Sequence, residues 1–355
     1  MMLLRFTYRV WLAALLPGLA AVGFCAAADM APLRAENRYP PHLMFLAPRA
    51  DAPDTPGRGR LRASLVVDYT SLYVNETSED WSVLMDMEMT TLALDLAYGL
   101  TSALELNLSL PWYHMADGFM DRALEDYHDT FGFPNYGKDA RPYDQFGYYL
   151  RKDGEDWFEP EPDRFAVGDG CMGFKLRLPA GGDRRPAAAL AYKLKLPFGD
   201  ADAGFGSGRI DHGAFLLTRW PFWRFALHLS PGYVWLSDPR TRGADVAMAD
   251  MAALLSGLTF DAGRSLCLKA QLNYYTSPFR RTGISQLDQD SLQLSLGFSA
   301  RLSRRMGLEM ALSEDLTRAA PDFTVHTRWI FTPAVKKRTD VGDRRSGKPF
   351  VVPSE

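Results

Sequence analysis

Charged residues recur at every second position in several stretches of this chain, and that spacing limits the chemistry open to them. Lys175, Arg177, Lys193 and Lys195 form one basic set, and Asp86, Glu88, Asp95 and Glu105 form an acidic one. Arg219, Lys269, Arg301 and Arg328 extend the basic side. A two-residue period puts each set on one face of extended strands. Such faces could set a transverse field that guides charged solutes along a pore. They could equally neutralise one another and fill a narrow interior, since opposite signs fall on neighbouring strands. His228-Leu229-Ser230 has the spacing by which a histidine takes the proton of a serine nucleophile. Here Pro231-Gly232 follows, where barrel hydrolases built on this pair carry Asn-Gly, and both side chains share a polar face. A hydrogen-bonded wall pair is the plainer reading, so no catalytic residue is expected. C-x-x-C, H-E-x-x-H, P-loop and dinucleotide patterns are absent, and His114, His128, His212 and His326 are scattered. Neither a metal nor a cofactor is expected.

The elements that position these residues are strands of strict apolar/polar alternation. Leu61, Ala63, Leu65, Val67 and Tyr69 oppose Arg62, Ser64, Asp68 and Thr70. Leu104, Leu106, Leu108 and Leu110 alternate with Glu105, Asn107 and Ser109, and Leu190, Tyr192, Leu194 and Leu196 with Lys193 and Lys195. Twelve such strands begin near residues 61, 81, 104, 171, 187, 209, 224, 247, 265, 290, 307 and 322. In the second, the parity flips near Thr90-Thr91, so Asp86 and Glu88 are expected to face inward through a β-bulge. Connections after the even strands are short, and those after strands three, five, seven and nine are long. Alternation, an even strand count and length-sorted connections predict an all-β fold, an antiparallel transmembrane β-barrel of about twelve strands. Aromatic residues, including Tyr69, Trp81, Trp112 and Trp235 at one rim and Tyr98, Trp220 and Phe331 at the other, suit interfacial girdles.

Composition agrees. Of 355 residues, 47% are hydrophobic, yet mean hydropathy is −0.18, as expected when each lipid-facing residue is balanced by a polar neighbour. Residues 1–28 read as a signal peptide: Arg5 and Arg9, an apolar run, then Ala26-Ala27-Ala28 as the cleavage site. Its removal leaves 38 basic against 43 acidic residues, a balance that excludes a nucleic-acid footprint. Residues 29–59 form an irregular segment, periplasmic or lumen-entering; 60–331 form the barrel; 332–355 form a disordered periplasmic tail. Cys171 and Cys267 fall on nearly opposite walls, too far apart to bridge, so two free thiols are expected.

The chain resembles an uncharacterised family of Gram-negative outer-membrane barrels, the domain-of-unknown-function family 3187. The resemblance rests on "PLRAENRYP", "YGLTSALELNLSLPW", "LEDYHDTFGFPN", "LKLPFGD" with "GSGRIDHG", and "LEMALSEDLTRAAPDF". It implies a barrel and a location, and no activity. The expected partners are outer-membrane lipid, lipopolysaccharide, the barrel-assembly machinery and small solutes. The expected function is a restricted channel or transporter for small solutes. A non-conducting structural or adhesion barrel with a partner-binding outer loop is the alternative, and a barrel enzyme using His228 and Ser230 a third. The connection 113–166, with thirteen acidic and six basic residues, is expected to fold inward or cap the mouth, its Met120, Ala123, Leu124, Tyr127 and Phe131 spaced as one helical stripe.

Overall fold

The computed structural model describes residues 29–131, 142–158, 161–179, 185–263 and 265–333. The expected leader and all but the first two residues of the expected tail lie outside them. Among the described residues the first half holds β1 (Leu61–Thr77), β2 (Trp81–Gly99), β3 (Leu104–Ala116), α1 (Asp121–Phe131), β4 (Gly147–Lys152), β5 (Glu155–Phe158), β6 (Phe165–Val167) and β7 (Gly170–Arg177). The second half holds β8 (Ala187–Leu196), β9 (Asp211–Phe222), β10 (Phe225–Trp235), β11 (Met251–Gly263), β12 (Leu266–Tyr275), β13 (Ser291–Arg301), β14 (Met306–Asp315) and β15 (Phe323–Phe331). β1–β3 and β7–β15 pair antiparallel, each with the next, and close where β1 meets β15, from Ala63 opposite Phe331 to Ser71 opposite Phe323. The result is a closed twelve-stranded barrel, as the alternation predicted.

Alternation sorts the side chains as a lipid solvent requires. Leu65, Leu94, Leu108, Leu190, Leu272 and Leu312 point outward and are 37–51% exposed. On the other parity Thr70, Lys175, Gln293, Ser295, Ser313 and Thr324 are buried inside. Such a continuous apolar exterior suits hydrocarbon contact and would be unstable in water. Closure matters as much, because an open strand edge in lipid would leave backbone groups unpaired.

One end carries short connections, the other long ones. β1 and β2 outrun the other strands, at 17 and 19 residues, so the first connection at the long-loop end is a projecting hairpin. Where β3 stops opposite Glu88, β4 takes its place on β2, from Asp86 opposite Gly147 to Trp81 opposite Lys152. β5 then adds outside β4, and β6 pairs with the end of β3.

This extension corrects three expectations. The β1–β2 register runs unbroken from Leu61 to Thr77, so no bulge occurs at Thr90-Thr91. Val83, Met85, Met87 and Met89 therefore face inward and are buried, while Asp86 and Glu88 lie on the opposite face. Glu88 is covered there by the start of the third long connection: it accepts hydrogen bonds from the Tyr69 hydroxyl and from the Met120 N–H at 2.5 Å. Past the lipid band both faces of the hairpin touch protein, so a carboxylate outside and a methionine inside are both tolerated. Trp81 likewise leaves the expected girdle and packs edge-on to Trp157 inside the cap, with ring centroids 6.4 Å apart.

The long-loop end is closed by an apolar core. Met85, Met87 and Met89 of β2 meet Tyr148 and Leu150 of β4, Trp157 and Phe158 of β5, and Phe205, Phe279 and Leu287 from later connections. The third connection thus contributes β4 and β5 to the cap; of the expected α1 stripe, Leu124 is buried, and the side chains of Ala123, Tyr127 and Phe131 lie outside the described residues.

At the short-turn end, Gly99 closes β2 against the chain entering β1. Its N–H donates to Arg60 at 3.0 Å, and its carbonyl accepts from Gly59 at 2.7 Å. A Cβ at position 99 would sit 2.0 Å from the Gly57 carbonyl oxygen, a backbone atom that cannot swing aside. Gly99→Ala is expected to cost about 1–3 kcal/mol of stability by overpacking. Denaturant titration of the refolded barrel checks this; an unchanged midpoint contradicts it.

Candidate functional site in the barrel lumen

The lumen is filled by the chain's own N-terminal segment. Residues 29–56 enter at the short-turn end, where Ser299 Oγ donates to the Asp29 carbonyl at 2.9 Å and Thr259 Oγ1 to that of Met30 at 3.3 Å. They climb past Asn273, whose amide donates to the Ala35 carbonyl, to Asn37, which donates to Ser291 Oγ at 2.8 Å. A 3-10 turn, Pro40–Met44, forms the apex beneath the cap. Two successive prolines fix φ and remove two donors, which suits a tight reversal without sheet pairing. The chain then descends: Leu46 N–H donates to Asp211, Arg49 reaches Asp95, and the Thr55 hydroxyl donates to the Ser102 carbonyl back at the short-turn end.

Ion pairs hold this segment to the wall. Arg34 pairs with Asp51 at 2.7 Å, and Arg38 with Asp68 at 2.6 Å and Glu36 at 2.8 Å. Arg49 pairs with Glu36 at 2.9 Å and Asp95 at 3.1 Å. Lys175, on β7, sits between Asp51 of the segment and Glu105 of β3, 3.1 Å from each. Arg219 and Arg177 both reach Asp54, at 2.7 and 3.7 Å. Lys269 and Arg328 converge on Glu309 at 2.7 and 3.6 Å, and His326 lies between Glu309 and Asp68. Lys195 is held by Asp169 at 2.6 Å and Asp211 at 3.3 Å.

At the apex the character changes. His42 Nδ1 lies 2.9 Å from the Tyr275 hydroxyl, and its ring stacks on Phe279 at 6.3 Å. Burial pushes the imidazole down to about 3, so it is neutral. The lumen therefore has a charged, fully peopled lower section and an aromatic, methionine-rich upper one.

Ten of the twelve sequence-predicted lining residues, Asp95, Glu105, Lys175, Arg177, Lys193, Lys195, Arg219, Lys269, Arg301 and Arg328, occupy inward positions on their strands. Asp86 and Glu88 do not. Arg301 stands apart from the others at the short-turn rim, where it lines a cleft of about 220 Å³ with Arg62, Arg304 and Asp29. Glu309, Asp68 and His326 join the lining set, each on the lumen parity of its strand; in the sequence Asp68 stands on the polar face of β1 and His326 among scattered histidines, with nothing to tie them to Glu309. Sequence reasoning overlooked the segment's own charges, Arg34, Arg38, Arg49, Asp51 and Asp54, for which no periodicity gives a signal.

His228 and Ser230 both face inward and are 1% exposed. His228 Nε2 lies 3.4 Å from Thr259 Oγ1 rather than on Ser230, so the base and the hydroxyl are not engaged. Cys171 and Cys267 are free thiols. Among the described residues no group of three or more His, Cys, Asp or Glu is arranged to hold a metal ion.

A family profile described as "Protein of unknown function (DUF3187)" matches residues 14–331. No curated protein matches the chain. Among solved structures, the COG4313 outer membrane channel from Pseudomonas putida F1 aligns over 79% of this chain and 97% of its own, at 14% identity and a TM-score of 0.53. The CymD monoaromatic hydrocarbon channel aligns over 89% and 98% at 13% identity and a TM-score of 0.41. The NanC porin aligns over 77% and 100% at 5% identity and a TM-score of 0.43. At such identities the likeness is one of fold, that of an outer-membrane barrel, and the first alone shares enough of it to carry weight.

Proposed function

We propose that this chain, which belongs to the DUF3187 family, is an outer-membrane channel for small solutes whose resting lumen is closed by its own N-terminal segment. The observation that carries the reading is the manner in which residues 29–56 are held. They contribute no strand to the sheet; side-chain ion pairs and single hydrogen bonds fix them to the wall. Contacts of that kind can be exchanged for water while every barrel ladder stays intact. A barrel meant to be solid could instead be packed with apolar side chains, which costs less than burying paired charges.

The apolar exterior supports placement in the outer membrane, and that location brings lipopolysaccharide and the barrel-assembly machinery as partners. The competing reading, a non-conducting structural or adhesion barrel, draws on the near-complete pairing of the lumen charges and on a third long connection that builds α1 and β4–β6 at the long-loop end. Proteoliposomes separate the two. Vesicles carrying the chain with Arg38→Gln and Arg49→Gln, which loosen the plug, should swell in an isotonic solution of a small sugar or amino acid, and faster than vesicles carrying the native chain. Vesicles that stay tight, both with the native chain and with Arg38→Gln and Arg49→Gln loosening the plug, would favour the non-conducting barrel.

A further inference from the structure

A second cavity lies between both arms of the plug and the wall of β2, β3, β7 and β8, with a volume of about 60 Å³. That is room for a few water molecules or a group of a few heavy atoms. Four cations line it: Arg38, Arg49, Lys193 and Lys195. Three are already neutralised, Arg38 by Glu36 and Asp68, Arg49 by Glu36 and Asp95, and Lys195 by Asp169 and Asp211. Lys193 is the exception. It is 8% exposed, and among the described residues its amine makes no hydrogen bond or ion pair, resting only over the Phe215 ring at 5.2 Å. Opposite it in register stands Gly173, where a Cβ would come within 3.2 Å of the Lys193 stem. The wall thus makes room for this side chain but, among the described residues, places no carboxylate within ion-pair distance of its amine.

A buried ammonium without a partner is costly, and proteins retain one where something supplies the missing charge. We infer that the cavity at Lys193 binds the head group of a small monocarboxylate. One amine without a direct partner, with Glu36 and Asp169 also on the lining, suits a single negative charge; a dianion such as sulfate would bring a second one up against carboxylates already there. Tyr113 lines the same cavity, so a planar two-oxygen acceptor can meet its hydroxyl as well as the amine. The adjoining aromatic and methionine-rich section beneath the cap offers an apolar path for a short tail, since methionine adapts its shape to a guest. The inference does not rest on conduction: a plugged barrel that never passes solute could still hold the ligand.

Calorimetric titration of the detergent-solubilised mature barrel with sodium acetate tests it, with chloride and sulfate at matched ionic strength as comparison. Saturable one-to-one acetate binding is expected, at least tenfold weaker in Lys193→Met and largely retained in Lys193→Arg. Lys193→Met should also fold, because no ion pair is lost; its heat-modifiable gel mobility and unfolding midpoint should match those of the parent or exceed them. Acetate binding that is absent, equal in Lys193→Met, or matched by chloride or sulfate would overturn the assignment. A drop in the Lys193→Met unfolding midpoint without loss of acetate binding would mark the lysine as structural and overturn it too.

Discussion

Deleting residues 30–54 should turn a nearly silent protein into a conspicuous pore. In planar bilayers the single-channel conductance is expected to rise on the order of tenfold, because a twelve-stranded barrel emptied of its filling leaves an aqueous lumen lined by polar side chains. The wall should survive the deletion. Every barrel ladder is made by strands alone, and the wall groups that lose partners, Asp95, Lys175, Arg219 and Glu309 among them, would then face water rather than a dry interior. The emptied pore should show salt-dependent ion selectivity, because those groups would no longer be cancelled. Conductance equal to that of the full chain would mean that the cap, and not the segment, closes the barrel.

The second large effect concerns Glu309. Its carboxylate, on β14, takes Lys269 at 2.7 Å, His326 at 3.5 Å, Arg328 at 3.6 Å and the Arg34 N–H at 3.1 Å, and none of it is solvent-exposed. Removing a buried charge is expensive mainly through what it leaves behind, here Lys269 and Arg328, which among the described residues have no other carboxylate within ion-pair distance. Glu309→Gln should lose about 3–5 kcal/mol of unfolding free energy, read from denaturant-induced unfolding in detergent. A companion variant makes the argument specific. Lys269→Met combined with Glu309→Leu removes charge from both sides and should recover most of the loss, because a paired ion exchanged for apolar volume is often neutral. If the double variant is as unstable as the single, the network is not the cause.

The barrel was legible in the sequence because lipid imposes a rule on every second residue. From Leu104 to Leu110, and again from Leu266 to Tyr274, the polar partners of outward leucines fall on the lumen side without exception. The rule fails where the solvent changes. Along 81–89 the hairpin has left the lipid, both faces meet protein, and hydrophobicity no longer reports direction, so Asp86 and Glu88 were assigned inward when Met85, Met87 and Met89 are. The plug was legible only as an irregular segment, periplasmic or lumen-entering; its path along the wall was not, for a related reason. Its residues join no ladder and, outside Pro40–Met44, no helix, so "PLRAENRYP" carries no period at all. One signal lies in the charges: the lumen-parity residues with a clear period are mostly basic, and a buried excess of one sign requires counter-charges from somewhere. Asp51 and Asp54 are those counter-charges, and Glu309 was available by parity alone.

The return of the segment at Pro40–Met44 has a consequence for biogenesis. The staple that seals the cylinder joins the first and last strands of the chain, so it can be fastened only after nearly all of the polypeptide has been delivered. A cork lying at the amino terminus is on hand from the beginning, and the wall can be zipped shut around it. Because the cork is a doubled-back loop with both feet on the same rim, it is enclosed without threading, and it can later slip out toward that rim alone without a single staple being undone.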